Sequence, residues 1–88
     1  MGTTIGAVLI SYDVNRSHTE VKARLEEMDY YDNFAYGNEP TKYLPNTTLW
    51  HKNKSSDQAI NDLKSVCNSL GVLLEKAVSV RAFDFVGI

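Results

Sequence analysis

The sequence predicts one α+β domain over residues 1–88, with the element order β-α-β-β-α-β. Two observations predict it. Apolar runs rich in β-branched residues suit buried strands, and two stretches with apolar residues at helical spacing each follow a capping-box motif. A doubled β-α-β order is the ferredoxin-like arrangement. We therefore expect a sandwich with an antiparallel sheet and two helices on one of its faces.

The first strand is predicted over residues 5–13, a continuously apolar run that ends at Asp13. A carboxylate at the end of a central strand, beside the start of a helix, suits a site for a metal ion or a phosphate group. The same position also suits an Asx turn, in which Asp13 accepts hydrogen bonds from the amides of Asn15 or Arg16. The residues alone leave both interpretations open.

Both helices are predicted from apolar spacing behind a capping box. The first covers residues 17–28, where Ser17 and Glu20 form the box and apolar residues recur at helical spacing. The second follows a box that begins at Ser55, and it ends at Gly71 because glycine is a common helix stop.

Three further strands complete the order. The aromatic stretch of residues 30–36 suits a short edge strand. Pro45 cannot donate to a strand ladder and marks the start of the next strand, residues 46–51. The last strand is expected within the strand-like tail, residues 72–88.

The two strands that precede the helices are expected side by side at the centre of the sheet, running parallel. Their carboxyl ends would then meet at one edge, where both helix N-termini also open with unpaired amides. This arrangement would bring Asp13 together with His51, Lys52 and Asn53 on one rim of the domain.

Composition and charge exclude several classes. The net charge of −2 gives no general attraction to nucleic acid or anionic membranes, so binding to either needs a local basic patch. Cys67 is the single cysteine and is expected as a small buried hydrophobic residue in a reducing cytoplasm. The chain has no phosphate-binding loop, dinucleotide fingerprint or zinc-ligand spacing. No segment is long enough to span a bilayer and no signal peptide is indicated, so we expect a cytoplasmic protein without membrane contact.

Two strand motifs carry a family resemblance. Residues 8–13, VLISYD, resemble the first-strand motif of the small CRISPR-associated ribonuclease family, in which an aromatic residue precedes the strand-end Asp. Residues 48–50, TLW, are similar to the hydroxyl, aliphatic, aromatic motif of that family's third strand. The second half of the chain, from Thr47 to Phe83, resembles the related endoribonuclease toxins of the virulence-associated protein D family.

The resemblance implies a homodimer of ferredoxin-like protomers that cleaves phosphodiester bonds. In the family the strand-end Asp is the proposed metal ligand, and two such carboxylates approach each other across the two-fold axis. Carried over to this chain, that role falls on Asp13. Mg²⁺ suits it, because Mg²⁺ needs only one or two carboxylates and keeps several waters. The metal ion would activate a water and neutralise the scissile phosphate.

One histidine and four basic residues are further candidates. His51 is expected either to act as a general base or cation against phosphate, or to be a half-exposed strand histidine. Arg16, Lys52 and Lys54 are expected either to form a small phosphate-binding patch or to be simply solvated. Arg81 is expected either to contact phosphate or to take part in a structural ion pair or an interface.

The aromatic residues have two interpretations. Trp50, Tyr12, Phe83 and Phe85 either stack nucleic-acid bases on an open sheet face or lie in the core or a dimer interface. The aromatic side chains of residues 30–43 are too many to be buried together, so we expect some of them to contact a partner.

Three hypotheses follow. The first is a small dimeric, metal-dependent endoribonuclease centred on Asp13, which would bind RNA. The second is a non-catalytic dimeric adaptor of the same fold, which would bind protein or duplex nucleic acid through its shape and its surface aromatics. The third is a small-ligand regulatory module with a pocket at the dimer interface. Fold resemblance alone does not select among them.

Overall fold

A computed structural model describes residues 2–35 and 38–82 of the chain. In chain order the elements are β1 (Gly6–Val14), α1 (His18–Glu27), β2 (Tyr30–Tyr31), β3 (Asn33–Phe34), β4 (Lys42–Tyr43), β5 (Thr48–Lys54), α2 (Ser56–Leu70) and β6 (Leu74–Arg81). The α+β class is as predicted. The expected edge strand is divided into β2 and β3, and β4 was not predicted. Residues 36 and 83–88, which the predictions included in strands, lie outside the described residues.

Four strands form one sheet in the order β2-β5-β1-β6, and β3 pairs with β4 in a separate two-stranded sheet. Each neighbouring pair in the larger sheet is antiparallel. β1-α1-β2 is therefore one βαβ unit and β5-α2-β6 is a second. Each unit has one strand of the other between its own two strands. The expectation of an antiparallel sheet with two helices is confirmed.

The predicted parallel alignment of the two central strands is wrong. β1 and β5 are neighbours, as expected, but they run antiparallel, with Ile10 opposite Leu49 and Gly6 opposite Lys54. The helical crossover from β1 to β2 preserves the direction of the chain. The link from β2 to β5 reverses it, because these two strands are antiparallel neighbours in the sheet. The carboxyl ends of β1 and β5 consequently lie at opposite ends of the sheet.

Alternation along β1 gives the sheet one covered face and one open face. The core residues contributed by β1, α1 and α2 are Val8, Ile10, Tyr12, Val14, Val21, Leu25, Ala59, Leu63, Val66 and Cys67. Cys67 is buried as predicted, and burial raises the pKa of its thiol. α2 is the longer helix, with 15 residues, and neither helix of residues 2–35 and 38–82 has the length and apolarity needed to cross a membrane.

The capping box of α2 forms as predicted. The Ser55 hydroxyl oxygen accepts a hydrogen bond from the Gln58 amide at 3.1 Å, and the Gln58 side-chain oxygen accepts one from the Ser55 amide at 2.9 Å. At the other end, Gly71 has the left-handed φ of 66° that a helix C-cap requires. Local sequence therefore specifies both ends of this helix.

The capping box predicted for α1 is wrong. Ser17 has a left-handed φ of 60°, and its side chain makes no capping hydrogen bond. The preceding residues are held elsewhere, because the Asn15 side chain accepts a hydrogen bond from the Leu73 amide and the Arg16 guanidinium donates to the Gly71 carbonyl. These tertiary contacts set the path into α1, and its first amides are left without a side-chain cap.

The two serines make a matched pair for measuring this difference. Ser55→Ala is expected to lower the free energy of unfolding by about 1 kcal/mol, because it removes a formed cap. Ser17→Ala should cost less than half as much, because no cap is lost. Urea denaturation of both variants measures the two costs. Equal losses would contradict the uncapped start of α1.

Candidate functional site

Asp13 lies at the exposed carboxyl end of β1, on the open side of the sheet. Its neighbour across the ladder is Lys76 of β6. A cavity of about 400 Å³ borders both residues, and Ser11 and Thr47 also line it. In the described part of the chain, neither ion pair nor side-chain hydrogen bond engages the Asp13 carboxylate. The Asx turn that was the alternative interpretation is therefore not formed, and the carboxylate is available to a ligand.

The groups around Asp13 suit a hard cation in kind. Carboxylate and hydroxyl oxygens are ligands that Mg²⁺ accepts, and Asp13, Ser11 and Thr47 supply them at one cavity. Within residues 2–35 and 38–82 no three His, Cys, Asp or Glu side chains lie together as a metal cluster. One chain thus offers a single carboxylate, and a tighter site requires the second Asp13 that a two-fold axis would supply.

His51 is held in a structural setting far from Asp13. Its ring meets the Tyr30 ring edge-on at a centroid distance of 5.0 Å, and its Nδ1 accepts a hydrogen bond from the Asn53 amide at 3.0 Å. Burial, and then the nearby Lys54 charge, lower the pKa of His51 below its usual value. These contacts match the alternative interpretation of His51 as a half-exposed strand histidine.

The lowered pKa of His51 predicts a pH dependence of stability. The folded state favours the neutral ring, so its contribution is present above the ordinary histidine pKa of about 6.5 and is lost as the pH falls through the lower folded value. We expect the free energy of unfolding to decrease between pH 7.5 and 5. His51→Gln should flatten that decrease, whereas His18→Gln, which removes the other histidine, should preserve it. Urea denaturation at several pH values measures both, and an unchanged slope in His51→Gln would contradict the assignment.

The predicted phosphate-binding patch is divided between the two ends of the sheet. Lys54 forms an ion pair with Asp62 of α2 at 2.5 Å, and the Tyr30 hydroxyl donates to the same carboxylate at 2.8 Å. Lys52 lies over the Tyr31 ring, 5.0 Å from its centroid. These residues are at the end of β5 that faces away from Asp13.

The other two basic candidates are also separated. The Arg16 guanidinium donates to the Gly71 carbonyl beside the Asp13 end. Arg81 lies opposite Val8, at the far end of β6, and is exposed. The strand from Gly6 to Asp13 spans roughly 23 Å at the usual rise of about 3.3 Å per residue. The expectation that Asp13 and residues 51–53 share one rim is therefore wrong.

Sequence reasoning missed Lys76, which is the cation nearest to Asp13 in the ladder. The pattern of the tail does not distinguish Lys76 from its neighbours. Its role emerges only from the register of β1 against β6, which puts opposite charges directly across from each other. The element order carries a coarser signal, because it makes β6 antiparallel to β1, so that β6 begins at the end of the sheet where Asp13 lies.

The side of the sheet that does not pack against the helices carries several apolar side chains. We call this surface the open face. It consists of Leu9, Ser11, Asp13, Tyr31, Thr48, Trp50, Lys52, Lys76, Val78 and Val80. Val78 and Val80 are 54% and 47% exposed, which is unusual for neighbouring valines on one strand face.

The aromatic residues divide between the two faces. Trp50 and Tyr31 lie on the open face with ring centroids 5.5 Å apart, and the Trp50 indole donates to the Asn33 carbonyl at 2.7 Å. Tyr12 faces the helices and is buried, so the interpretation that it stacks bases on the open face is wrong. Phe83 and Phe85 lie outside the described residues.

The aromatic stretch after α1 is mixed. Tyr30 and Phe34 are buried, whereas Tyr43 is 69% exposed. The prediction that some of these aromatic side chains are exposed is confirmed, and the contact that they make with a partner stays a prediction.

Comparison with protein-family models, curated proteins and solved structures gives no match to this chain. The resemblance to CRISPR-associated ribonucleases and to virulence-associated protein D stays a prediction that rests on strand motifs.

Proposed function

We propose that this chain is a cytoplasmic homodimer of ferredoxin-like protomers that binds RNA and cleaves it with Mg²⁺ held by Asp13. The observation that carries the proposal is that Asp13, an exposed carboxylate without a protein partner in the described residues, lies on the same face as the exposed Val78 and Val80. The surface that favours association is therefore also the surface that presents the carboxylate.

The topology supports a ferredoxin-like assignment. Two βαβ units with interleaved strands are the defining feature of that arrangement. The order β2-β5-β1-β6 has this interleaving once the β3-β4 pair is treated as an insertion between β2 and β5. The insertion packs beside the sheet through the hydrogen bond from Trp50 to the Asn33 carbonyl.

Dimerisation through the open face is supported by its composition. Exposed apolar patches on small domains mark interaction surfaces, and a small domain gains stability by covering them. A two-fold interface is isologous, so the same patch lies on both sides. If the two-fold axis runs parallel to the strands, the same end of each sheet faces the other. The two Asp13 carboxylates then lie at the same edge of the interface.

This arrangement assigns roles to residues at the Asp13 end only. A bound Mg²⁺ would supply Lewis-acid activation of water and of the scissile phosphate. Asp13 of each protomer would hold that ion, and the Lys76 ammonium would orient an adjacent phosphate of the RNA backbone. His51, Lys52 and Lys54 lie at the other end of the sheet on the same protomer and are too distant to join this site.

A non-catalytic adaptor is the second candidate, and one observation favours it. Lys52 and Asp13 lie at opposite ends of the open face. If the two-fold axis runs across the strands, Asp13 of one copy approaches Lys52 of the other. The carboxylate would then be used in an interface ion pair, and no metal site would form.

RNA cleavage tests the first candidate. Asp13→Asn is expected to lower the Mg²⁺-dependent rate at least about a hundredfold, because a lost metal ligand removes several kcal/mol of transition-state stabilisation. Asp57→Asn is the matched control, since Asp57 is an exposed carboxylate at the start of α2. Cleavage that survives in Asp13→Asn would exclude Asp13 as the metal ligand.

Charge exchange tests the second candidate. Under the adaptor arrangement, Asp13→Lys should weaken the dimer about tenfold, and adding Lys52→Asp should restore it. Under the nuclease arrangement, Asp13→Asn should tighten the metal-free dimer, because two like charges are removed. Adding Lys52→Asp to Asp13→Lys should then have no restoring effect on the affinity of the dimer. Sedimentation equilibrium measures the dimer dissociation constant in each case.

A further inference from the structure

A second cavity lies at the Asp13 end of the domain, on the helix side of the sheet. Its volume is about 400 Å³, and its lining is Tyr12, His18, Thr19, Lys22, Asn46 and Thr47. We call it the first-turn cavity, because three of these residues belong to the first turns of α1. None of the functions considered above uses it.

The start of α1 presents free donors to this cavity. The first hydrogen bond of the helix runs from the Val21 amide to the Ser17 carbonyl, so the amides of residues 18–20 have no partner within the helix. The Ser17 side chain does not cap them. Uncapped first-turn amides and the positive end of the helix dipole attract anions.

The Tyr12 hydroxyl is an independent observation that points to a ligand. Tyr12 is only 5% exposed, and no hydrogen bond joins its hydroxyl to another group in the described residues. No buried polar side-chain atom of residues 2–35 and 38–82 lacks a partner, so this oxygen must reach open space. Tyr12 points towards the helices and lines the first-turn cavity.

The hydroxyl remains a donor under ordinary conditions. Burial, and then the nearby Cys67 thiol and Glu26 carboxylate, raise the pKa of Tyr12 to about 12, so the group is protonated near neutral pH. Solvent reaches this oxygen in the free protein. A phosphate oxygen bound in the cavity would take the place of that solvent as the acceptor of the Tyr12 hydroxyl.

We propose that the first-turn cavity binds a phosphate group. The Tyr12 hydroxyl and the first-turn amides of α1 donate to its oxygens, and His18 adds a further donor at the rim. Lys22 lines the same cavity but forms an ion pair with Asp32 at 2.8 Å, which offsets part of its charge. The proposal does not depend on Asp13 or on RNA cleavage, so a failure of either leaves it standing.

Inorganic phosphate is the first probe, and its binding is monitored by ¹⁵N–¹H NMR of the full chain. We expect saturable shifts of the His18, Thr19 and Glu20 amides. Tyr12→Phe should weaken binding about tenfold, the value of one hydrogen bond to a charged group. Tyr43→Phe should leave binding unchanged, because Tyr43 is 69% exposed and lies outside the cavity.

A gain-of-affinity variant keeps the test decisive if Tyr12→Phe is unstable. Asp32→Asn releases Lys22 and should tighten phosphate binding, whereas Glu39→Gln removes one exposed negative charge elsewhere and should not. First-turn amides that do not shift, or equal effects of Asp32→Asn and Glu39→Gln, would overturn the proposal.

Two sources present this chemistry, an RNA 5′-phosphate and a free nucleotide. A short RNA with and without its 5′-phosphate, and uridine 5′-monophosphate, are titrated in parallel. Selective tight binding of the 5′-phosphorylated RNA assigns the cavity to an RNA end. Equal binding of the mononucleotide assigns it to a small ligand. Failure of all phosphorylated probes to shift the first-turn amides rejects the site.

Discussion

Val80→Glu should convert the proposed dimer into a monomer. Val80 is 47% exposed on the open face, directly across the ladder from Leu9. In the dimer the substitution loses an apolar contact and leaves an unpaired carboxylate against apolar side chains. We expect the dissociation constant to rise at least about a hundredfold, since these two costs together exceed about 3 kcal/mol. Sedimentation velocity across a concentration series measures it.

Leu73→Glu is the matched control for that prediction. Leu73 is more exposed than Val80, at 60%, but it lies in the link between α2 and β6 and not on the open face. The same charge placed there should leave the dimer intact. An intact dimer in Val80→Glu, or equal dissociation in both variants, would contradict association through the open face.

Ile10→Ala is expected to have the largest effect on folding. Ile10 is fully buried at the centre of β1, between the sheet and both helices. Truncation of such a residue costs about 2–5 kcal/mol, because it removes buried apolar atoms and leaves a cavity. A domain of 88 residues has a total stability of about 4–13 kcal/mol. The substitution should therefore remove a large share of the free energy of unfolding and lower the urea concentration at the unfolding midpoint.

Leu9→Ala separates folding from association, because Leu9 is the neighbour of Ile10 on the opposite face. Both substitutions are best measured by urea denaturation in the Val80→Glu background, where the chain should be monomeric. There Leu9→Ala should cost less than half as much as Ile10→Ala. In the wild-type background it should weaken the dimer. Equal costs in the monomer would mean that the open face is already covered within one protomer.

Local patterns were sufficient to predict the long elements. The apolar run before Asp13 is β1, and the helical spacing behind Ser55 is α2, whose cap and stop are both as expected. These features depend on residues that are close together in the chain, so they can be predicted from a single sequence. An open sheet face was expected, but the residues of β1 that form it were not identified. The continuous apolar run suited a buried strand, whereas Leu9 and Ser11 face away from the core.

Strand direction was the main error, and it changed the candidate site. An apolar pattern has no direction, so it does not distinguish parallel from antiparallel neighbours. The element order does carry that information, since helical crossovers preserve direction and the link from β2 to β5 reverses it. Applied to this chain, that rule separates Asp13 from His51 and brings Lys76 beside Asp13 instead.

The two capping boxes show where tertiary contacts override local sequence. Ser17 and Ser55 begin equivalent motifs, yet only Ser55 forms its box. Asn15 and Arg16 are bound to the link between α2 and β6, which fixes the backbone before α1 in a different conformation. Contacts between residues more than 50 positions apart are not visible in a local motif.

Intermolecular NOEs between ¹³C-labelled and unlabelled copies of the chain report on association through the open face. We expect a dimer in which the methyl groups of Val78, Val80 and Leu9 give NOEs to the other copy, while those of Leu73 give none. A chain that stays monomeric at the millimolar concentrations of the experiment would contradict association through the open face. Intermolecular NOEs confined to α1 and α2 would contradict it equally.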